Sequence, residues 1–312
     1  WDVFVEVRFD LFSRFAPATR QVGTDRLLPQ YAKDEDNADG VSIRVTAYNR
    51  GPEPATLHII PQLFFRNTWA WSKERPEGKA MPSMEQVADG VVQADHESLG
   101  RYYFYANTSP APIGPRRRKD QHETVFVEDT VTPELLFTDN DTNLSRLYGV
   151  PNKVPFTKDA FHDHIIPSHR PPMPEPSKGE EEVDGEAHED EDGTATPRDA
   201  EAEDTRQFVN PEKRGTKVGA HYTFSDVPGN GGCAVVRLKL TPRSAEEDPS
   251  ILDEESFDMV MEERRMDSDE FYSRFNSGAL SDDLRNVMRQ ALSGMLWWVS
   301  LRFLSLEFVH LC

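Results

Sequence analysis

Closely spaced acidic side chains are the most numerous groups in this sequence that could do chemistry. A hydrolytic couple needs one protonated and one ionised carboxyl group across the bond that is cleaved. The closest approaches to such a couple are Asp139, Asp141, Asp258, Glu262, Asp282 and Asp283. Each stands in a context where helix caps, turns and solvated helix faces commonly use Asp and Glu. We therefore predict structural roles for all of them and no catalytic pair in this chain.

Three histidines in the middle of the chain are a second candidate. His162 and His164 would share one face of a strand, and His169 follows nearby. Imidazole is an ordinary zinc ligand, but no further ligand follows at an accepted spacing. The pattern therefore favours a surface loop, and we expect no metal and no cofactor. A metal-dependent hydrolase centred on His162 is kept as a weaker hypothesis, which metal analysis of the purified protein tests.

The two cysteines indicate the compartment more than the chemistry. Cys233 and Cys312 lack the His and Asp context of a nucleophile, and they could form at most one disulfide. This excludes a disulfide-rich secreted scaffold, so a reducing, cytoplasmic location is the default expectation. The compartment of a longer parent protein is left open. A Gly-rich phosphate-binding loop does not occur in the sequence.

A short polar and aromatic run after a predicted strand is the best candidate for binding. Its members are Arg66, Asn67, Thr68, Trp69 and Trp71. Polar donors beside two tryptophans can contact sugar hydroxyls and stack on a pyranose ring, or they can dock one domain on another. We favour docking. Residues 138–143 form a second polar loop of the same kind.

Negative charge is concentrated in one segment. The 312 residues have a formal net charge of −20, and 37% of them are hydrophobic and 29% charged. Residues 178–204 hold thirteen acidic side chains against Lys178 and Arg198. Because so polar a stretch cannot offset its own ordering entropy, we predict that residues 167–209 are disordered. The acidic balance excludes nucleic acid as a partner, and we expect no membrane segment.

Alternation of apolar and polar residues predicts a β-rich front part. Residues 41–48 and 55–65 are interpreted as a hairpin around a turn at 49–52. Residues 217–224 and 234–240 are interpreted as a second pair of strands, joined by a Gly-rich turn. Further strands are predicted at residues 1–6, 91–94 and 102–105. Short strands separated by turns indicate an antiparallel β-sandwich.

From Ser256 the pattern becomes helical. Apolar residues recur at helical spacing through residue 275, and Ser281 before two aspartates is a good N-cap for a last helix. The apolar face of that helix contains Leu292, Met295, Leu296 and Trp297. Such a face needs a cover, and its exposure would mark a surface that has lost its partner.

Several short sequence blocks, spread over most of the chain outside three insertions, resemble one known family. They are DVFVE at residues 2–6 read directly onto YAKD at 31–34, PQLFFRNTWAW at 61–71, PELLFTDNDTN at 133–143 and RQALSGMLW at 289–297. These blocks resemble the glucosidases of glycoside hydrolase family 63 and the related mannosylglycerate hydrolase-like proteins. The RNTW and RQALSGMLW blocks are the most specific of them.

This resemblance implies an N-terminal β-sandwich packed on an (α/α)6 barrel that holds the active site. Members of the family hydrolyse terminal glucosyl or related residues with inversion, using an acid and a base carboxyl group. The resemblance places both carboxylates in the barrel, C-terminal to Trp297, where nothing in this chain matches them. The chain is therefore expected to be an inactive, non-catalytic portion whose oligosaccharide substrate binds the barrel. The alternative is a stand-alone carbohydrate-binding or protein-interaction sandwich.

Three parts of the chain are predicted on this basis. They are a sandwich at residues 1–250 with insertions at 7–30, 107–131 and 167–209, a helical linker and barrel start at 251–297, and an aberrant tail at 298–312. Our hypothesis is that residues 7–30 and the tail are translated introns, because Val-Arg and Val-Ser can be encoded as splice donors (GTACGT, GTGAGT) and Gln30 as an acceptor (CAG). A genuine loop and an apolar final helix are the alternative, and sequencing of spliced transcript decides.

Overall fold

The fold is described from a computed structural model of the chain. The structure describes residues 3–8, 26–34, 37–69, 81–114, 130–171, 206–275 and 280–309. Two compact units are present, the first formed by Trp1–Pro29 with Arg44–Pro242 and the second by Gln30–Ile43 with Arg243–Cys312.

The described part of the chain is mainly β. Its strands are β1 (Val3–Arg8), β2 (Arg26–Asp34), β3 (Asn37–Asn49), β4 (Ala55–Phe65), β5 (Ser83–Ala88), β6 (Val91–His96), β7 (Gly100–Ala106), β8 (Ser109–Pro110), β9 (Thr130–Val131), β10 (Glu134–Thr138), β11 (Arg214–Gly215), β12 (Lys217–Val227) and β13 (Gly232–Thr241). Its helices are α1 (Leu144–Tyr148), α2 (Ala160–Ile165), α3 (Glu254–Ser273) and α4 (Asp282–Val309), with 3-10 turns at Pro167–His169 and Pro249–Leu252.

The strands form two main antiparallel sheets and one small ribbon. Sheet A has the order β1-β4-β12-β10, and sheet B has the order β11-β5-β6-β7-β13-β3-β2. The ribbon pairs β8 with β9. Together with the helices that follow, this confirms the predicted fold class of an antiparallel β-sandwich with terminal helices.

The inner faces of the sheets form the core of the first unit. Its largest fully buried side chains include Phe65, Tyr222 and Phe224 of sheet A and Phe104 and Leu238 of sheet B. The Phe65 ring lies 5.5 Å from that of His96 on sheet B. The buried Tyr222 hydroxyl donates to the carbonyl oxygen of Asn107, 2.7 Å away, at the end of β7. Burial of each large side chain stabilises the fold by about 1.5–3 kcal/mol.

Both predicted hairpins are wrong. Strands β3 and β4 belong to different sheets, and so do β12 and β13. Each connection therefore crosses from one layer of the sandwich to the other. The strands themselves were predicted because alternation has a period of two in any half-buried strand. The same alternation occurs whether two strands pair in one sheet or face each other across the core, so it could not identify the partners.

The two crossing turns are bonded to each other. Asn49 Nδ2 donates to the carbonyl oxygens of Glu53 (2.8 Å) and Val227 (2.9 Å). The backbone N–H of Asn230 donates to the carbonyl oxygen of Gly51 at 2.7 Å. The Asn49 side chain is buried, so these bonds satisfy carbonyl groups that water does not reach freely.

The outer face of sheet A is covered by α2. Phe161 of α2 is buried and packs on β12. Lys217 of β12 is buried beneath it, with its ammonium group 4.8 Å from the centroid of the Phe161 ring. The same ammonium group donates to the carbonyl oxygen of Lys158 at 2.7 Å. A cation–π contact and a charge-assisted hydrogen bond thus hold α2 on the sheet.

The second unit has a small core of its own. Ala32 of β2 packs against Phe257 and Met261, which lie one turn apart on α3, and Val260 packs beside them. The helix spacing i, i+4 places both large side chains on one face. This explains why the apolar residues of α3 recur at helical spacing.

Both long helices have side-chain caps. The Asp253 carboxylate accepts from the backbone N–H of Ser256 at 2.8 Å at the start of α3. Ser281 Oγ accepts from the backbone N–H of Leu284 at 3.4 Å at the start of α4, which confirms the predicted N-cap. None of the helices among the described residues has the length and apolarity needed to span a membrane.

The predicted insertions and tail are only partly described. Val7 and Arg8 belong to β1, residues 26–30 belong to β2, and the ends of the 107–131 insertion form β8 and β9. The backbone of α4 continues through Val309. Residues 9–25, 115–129, 172–205 and 310–312 lie outside the described residues. The predicted disorder of the acidic segment and the intron hypothesis therefore stay predictions.

Candidate functional site

Two polar loops meet at one edge of sheet A. Strands β4 and β10 both run antiparallel to β12, which lies between them. They are therefore parallel to each other, and their carboxyl ends lie at the same edge. Residues 66–69 follow β4, and residues 139–143 follow β10. We call these two loops together the polar edge.

Side chains of the first loop are bonded to the second. Asn67 Nδ2 donates to the carbonyl oxygen of Asn140 at 2.7 Å and lies 3.4 Å from Asp141 Oδ1. Trp69 Nε1 donates to Asp141 Oδ2 at 3.4 Å. Both Asn67 and Trp69 are half-buried. The structure thus brings together two of the predicted site residues with the polar loop that was singled out separately.

Asn140 fixes the second loop to the sheet. Its Nδ2 donates to the carbonyl oxygen of Phe65 at 2.8 Å, and its backbone N–H donates to Thr216 Oγ1 at 2.8 Å. The Phe65 N–H in turn donates to the carbonyl oxygen of Thr216 at 3.2 Å. Thr216 was not predicted as a site residue. No local pattern marks it, because its position depends on the pairing of β12 with both neighbouring strands.

Asp139 is the titratable group most affected at the polar edge. Burial raises the pKa of the Asp139 carboxyl group, because desolvation disfavours the ionised form. A hydrogen bond from Thr216 Oγ1, 3.3 Å from Asp139 Oδ1, opposes this effect. The nearby negative charge of Asp141 adds to the rise in the pKa. Asp139 and Asp141 therefore lie together at this edge, and we assign no hydrolytic role to the pair.

The other predicted site residues differ in their surroundings. The side chains of Arg66 and Thr68 are exposed. Trp71 lies outside the described residues. At the polar edge, Asn67 and Trp69 donate hydrogen bonds to the second loop. The exposed polar side chains of Arg66 and Thr68 lie next to them in the sequence.

An ion cluster positions the segment that follows the second loop. The Arg146 guanidinium group contacts Asp159 at 2.8 Å and both carboxylate oxygens of Asp163, at 2.7 and 2.9 Å. Both Asp163 oxygens face the same Arg146 nitrogen, and because Asp163 is buried, this ion pair is screened less by solvent than an exposed one. The backbone N–H of Lys158 donates to the carbonyl oxygen of Asp141 at 3.0 Å. The α1–α2 segment thus supports the polar edge from one side.

The predicted histidine loop is a helix. His162 and His164 lie on α2, and the helix replaces the surface loop favoured by the sequence. The ring of His162 lies 6.1 Å from that of His169, whereas His164 Nε2 lies 3.2 Å from Glu134 Oε1. Among the residues that the structure describes, no three His, Cys, Asp or Glu side chains are placed to hold a metal ion. The sequence could not predict the helix because a single turn carries little periodicity.

Two of the acidic candidates make local ion pairs on the helices. Glu262 pairs with Arg265 three residues later on α3. Asp282 Oδ1 lies 3.0 Å from Arg285 in the first turn of α4. Exposed pairs of this kind contribute little to stability and need no catalytic explanation.

Comparison with known proteins gives one informative relationship. No family model matches the chain. The chain is similar to the uncharacterized protein YMR196W of Saccharomyces cerevisiae, with 31% identity over 275 residues. The aligned region covers 86% of this chain and 22% of the yeast protein. The chain thus spans about a fifth of the length of this curated relative.

Proposed function

We propose that the chain is the non-catalytic β-sandwich portion of a family 63-type glycoside hydrolase, and that its polar edge docks on the barrel that carries the catalytic carboxylates. The whole enzyme would remove terminal glucosyl or mannosyl residues with inversion. The observation that carries the proposal is the contact of Asn67 with Asn140 at 2.7 Å. It joins the two blocks, RNTW and TDND, that separately resemble the family.

The bonding state of the polar edge favours docking over sugar contact. Asn67 Nδ2 and Trp69 Nε1 already donate to the second loop, so they are not available to sugar hydroxyls without breaking those bonds. A pre-ordered polar surface with aromatic area suits a domain interface, because little side-chain entropy is lost on docking. Asp141, whose carboxylate accepts from Trp69 and whose carbonyl oxygen accepts from Lys158, would stay shielded there.

The last helix supports the same proposal. Leu284, Val287 and Met295 of α4 are 52, 56 and 63% exposed, and Leu292 is half-buried. The side chains of Leu296 and Trp297 lie outside the described residues. Several exposed apolar side chains on one helix mark a surface that a partner covers. In the proposed enzyme, neighbouring helices of the barrel provide that cover.

A second candidate function is a stand-alone carbohydrate-binding sandwich. The exposed side chains of Arg66 and Thr68 beside Trp69 favour it, because donors next to an aromatic ring suit a pyranose. Titration of the 312-residue chain with glucosyl and mannosyl oligosaccharides, followed by tryptophan fluorescence, separates the two candidates. Saturable binding that Trp69→Ala abolishes and Tyr31→Ala preserves would establish sugar contact. Docking predicts no saturable response in any of the three proteins.

The hydrolase proposal itself is tested by activity. The 312-residue chain and the intact yeast relative are incubated with glucosyl and mannosyl oligosaccharides, and the released sugar and its anomeric form are measured. We expect inverted product from the intact relative and none from the shorter chain. Turnover by the shorter chain would contradict its non-catalytic role. An intact relative that cleaves none of these substrates would contradict the family assignment.

A further inference from the structure

Four titratable side chains meet on the outer face of sheet A beside α2. They are His58 of β4, Glu134 of β10, His221 of β12 and His164 of α2. In the strand register, Glu134 is directly opposite His221, and His58 is directly opposite Thr223. Because side chains alternate along a strand, His221 and Thr223 point to the same face. The pairing of three strands therefore builds the cluster.

The two central imidazoles face each other through single nitrogen atoms. His58 Nδ1 lies 2.9 Å from His221 Nε2. The ring centroids are 5.2 Å apart and the ring planes differ by 22°. That centroid separation is the nitrogen–nitrogen distance plus the two distances from nitrogen to ring centre, so both nitrogens lie on the line between the rings. Their lone pairs point at each other, which suits one shared proton and not a metal ion, whose ligands must converge from an angle.

Glu134 determines which imidazole donates. Its Oε2 lies 3.8 Å from His221 Nδ1, and its Oε1 lies 3.2 Å from His164 Nε2. A carboxylate on the Nδ1 side favours the proton there and leaves His221 Nε2 as an acceptor. His58 Nδ1 then donates to His221 Nε2. At neutral pH the chain of contacts runs from β4 through β12 to β10 and on to α2.

Further protonation changes the hydrogen bonds among these side chains. An imidazolium at His221 would face Glu134 on one side and could donate to neutral His58 on the other. A second proton on His58 would place two N–H groups head to head, 2.9 Å apart. Burial, followed by the charge of His221, lowers the pKa of His58. The hydrogen bond from His164, together with the nearby His221, holds the pKa of Glu134 far below its usual value, so its negative charge persists in mild acid.

Among the residues that the structure describes, two further charged side chains near the cluster are already bonded to other groups. Lys217 on the same face of β12 donates to the carbonyl oxygen of Lys158, and Asp163 of α2 accepts from Arg146. The ring of His162 of α2 lies 6.1 Å from that of His169.

We propose that His58, His221, Glu134 and His164 form a proton-operated latch that ties β4 to β12 and β10 near neutral pH and loosens when His58 takes up a proton. Loosening separates β4 from β12 at this face, because the two imidazolium groups repel each other. This latch does not depend on the hydrolase proposal and can be tested without any substrate.

Two measurements test the latch in the 312-residue chain. In an NMR titration we expect His58 to titrate below the usual range of a histidine, because burial and the neighbouring His221 both lower its pKa. In denaturant unfolding we expect the midpoint to fall between about pH 7 and pH 5, since the unfolded chain binds the second proton more readily. Titration of His58 at the ordinary pKa of a histidine would overturn the proposal.

A conservative variant separates titration from packing. His58→Asn places an amide donor at the Nδ1 position, so it can keep the bond to His221 but cannot be protonated. We expect its unfolding midpoint to match the natural protein at pH 8 and to lose the fall between about pH 7 and pH 5. His169→Asn, on an exposed histidine outside the latch, should retain that fall. If His58→Asn misfolds, His221→Gln is the second variant, with the same expected loss. An undiminished fall in the folded variant would overturn the proposal.

Discussion

Phe161 packs against Gly219 so closely that a Cβ atom on Gly219 would lie 2.9 Å from Phe161 Cε2. The glycine therefore determines how near α2 approaches the outer face of sheet A. An added methyl group must displace the ring, and a ring held among buried side chains gives way at a cost.

We predict that Gly219→Ala lowers the free energy of unfolding by about 1–3 kcal/mol, because it overpacks this contact. Gly114→Ala is the matched control, since an added Cβ there meets no heavy atom within 4 Å. Denaturant unfolding of the natural protein and both variants measures the difference. Equal stability of the two alanine variants would show that α2 can shift without cost.

The strands of this fold were largely predictable, but their pairing was not. Alternation marked β3, β12 and β13, because each has one face in the core. The Gly-rich turn at 226–232 was interpreted as a hairpin, although it crosses between the sheets. The choice depends on contacts such as Asn49 Nδ2 with the carbonyl oxygen of Val227, which join residues far apart in sequence.

The candidate site was predictable to a similar extent. The residue types at 66–71 and 138–143 indicated two polar loops, and the structure joins Asn67 and Trp69 to Asp141. Thr216 and the contact of His58 with His221 were missed. Both depend on the order of strands in sheet A, which local spacing does not encode.

Asn140 should be the most sensitive residue of the polar edge. Asn140→Ala removes the donor to the carbonyl oxygen of Phe65, and we expect a loss of about 1–3 kcal/mol in the free energy of unfolding. Asn140→Asp should cost more, because it sets a carboxylate against that carbonyl group and between Asp139 and Asp141. Denaturant unfolding gives the order. An aspartate variant as stable as the natural protein would contradict the role of this bond.

Asp139 should make the stability depend on pH in an unusual direction. Its pKa is raised by burial in the folded protein, so the folded state holds this proton more tightly than the unfolded state. The stability that it contributes is present below the unfolded pKa, near pH 4, and is lost as the pH rises through the folded pKa.

Asp139→Asn should therefore raise the unfolding midpoint at pH 7 and leave it nearly unchanged at about pH 3, where the natural side chain is protonated. The amide oxygen can still accept from Thr216, so the packing is kept. Asp226→Asn, at an exposed position, is the control and should not change the midpoint at pH 7. A variant that is less stable at pH 7 would mean that the ionised carboxylate is needed there.

Tyr222→Phe tests the bond that joins the two layers of the sandwich. The Tyr222 hydroxyl group is fully buried and donates to the carbonyl oxygen of Asn107 at 2.7 Å; burial also raises its pKa, so it remains a donor throughout the accessible pH range. Removal of the hydroxyl group leaves that carbonyl oxygen without this donor while the aromatic packing is kept. We expect a loss of about 1 kcal/mol. Tyr148→Phe, on a side chain that is 71% exposed, should be neutral. Because the two substitutions remove the same atom, a difference between their unfolding midpoints isolates the buried hydrogen bond, and equal midpoints would show that it contributes nothing net.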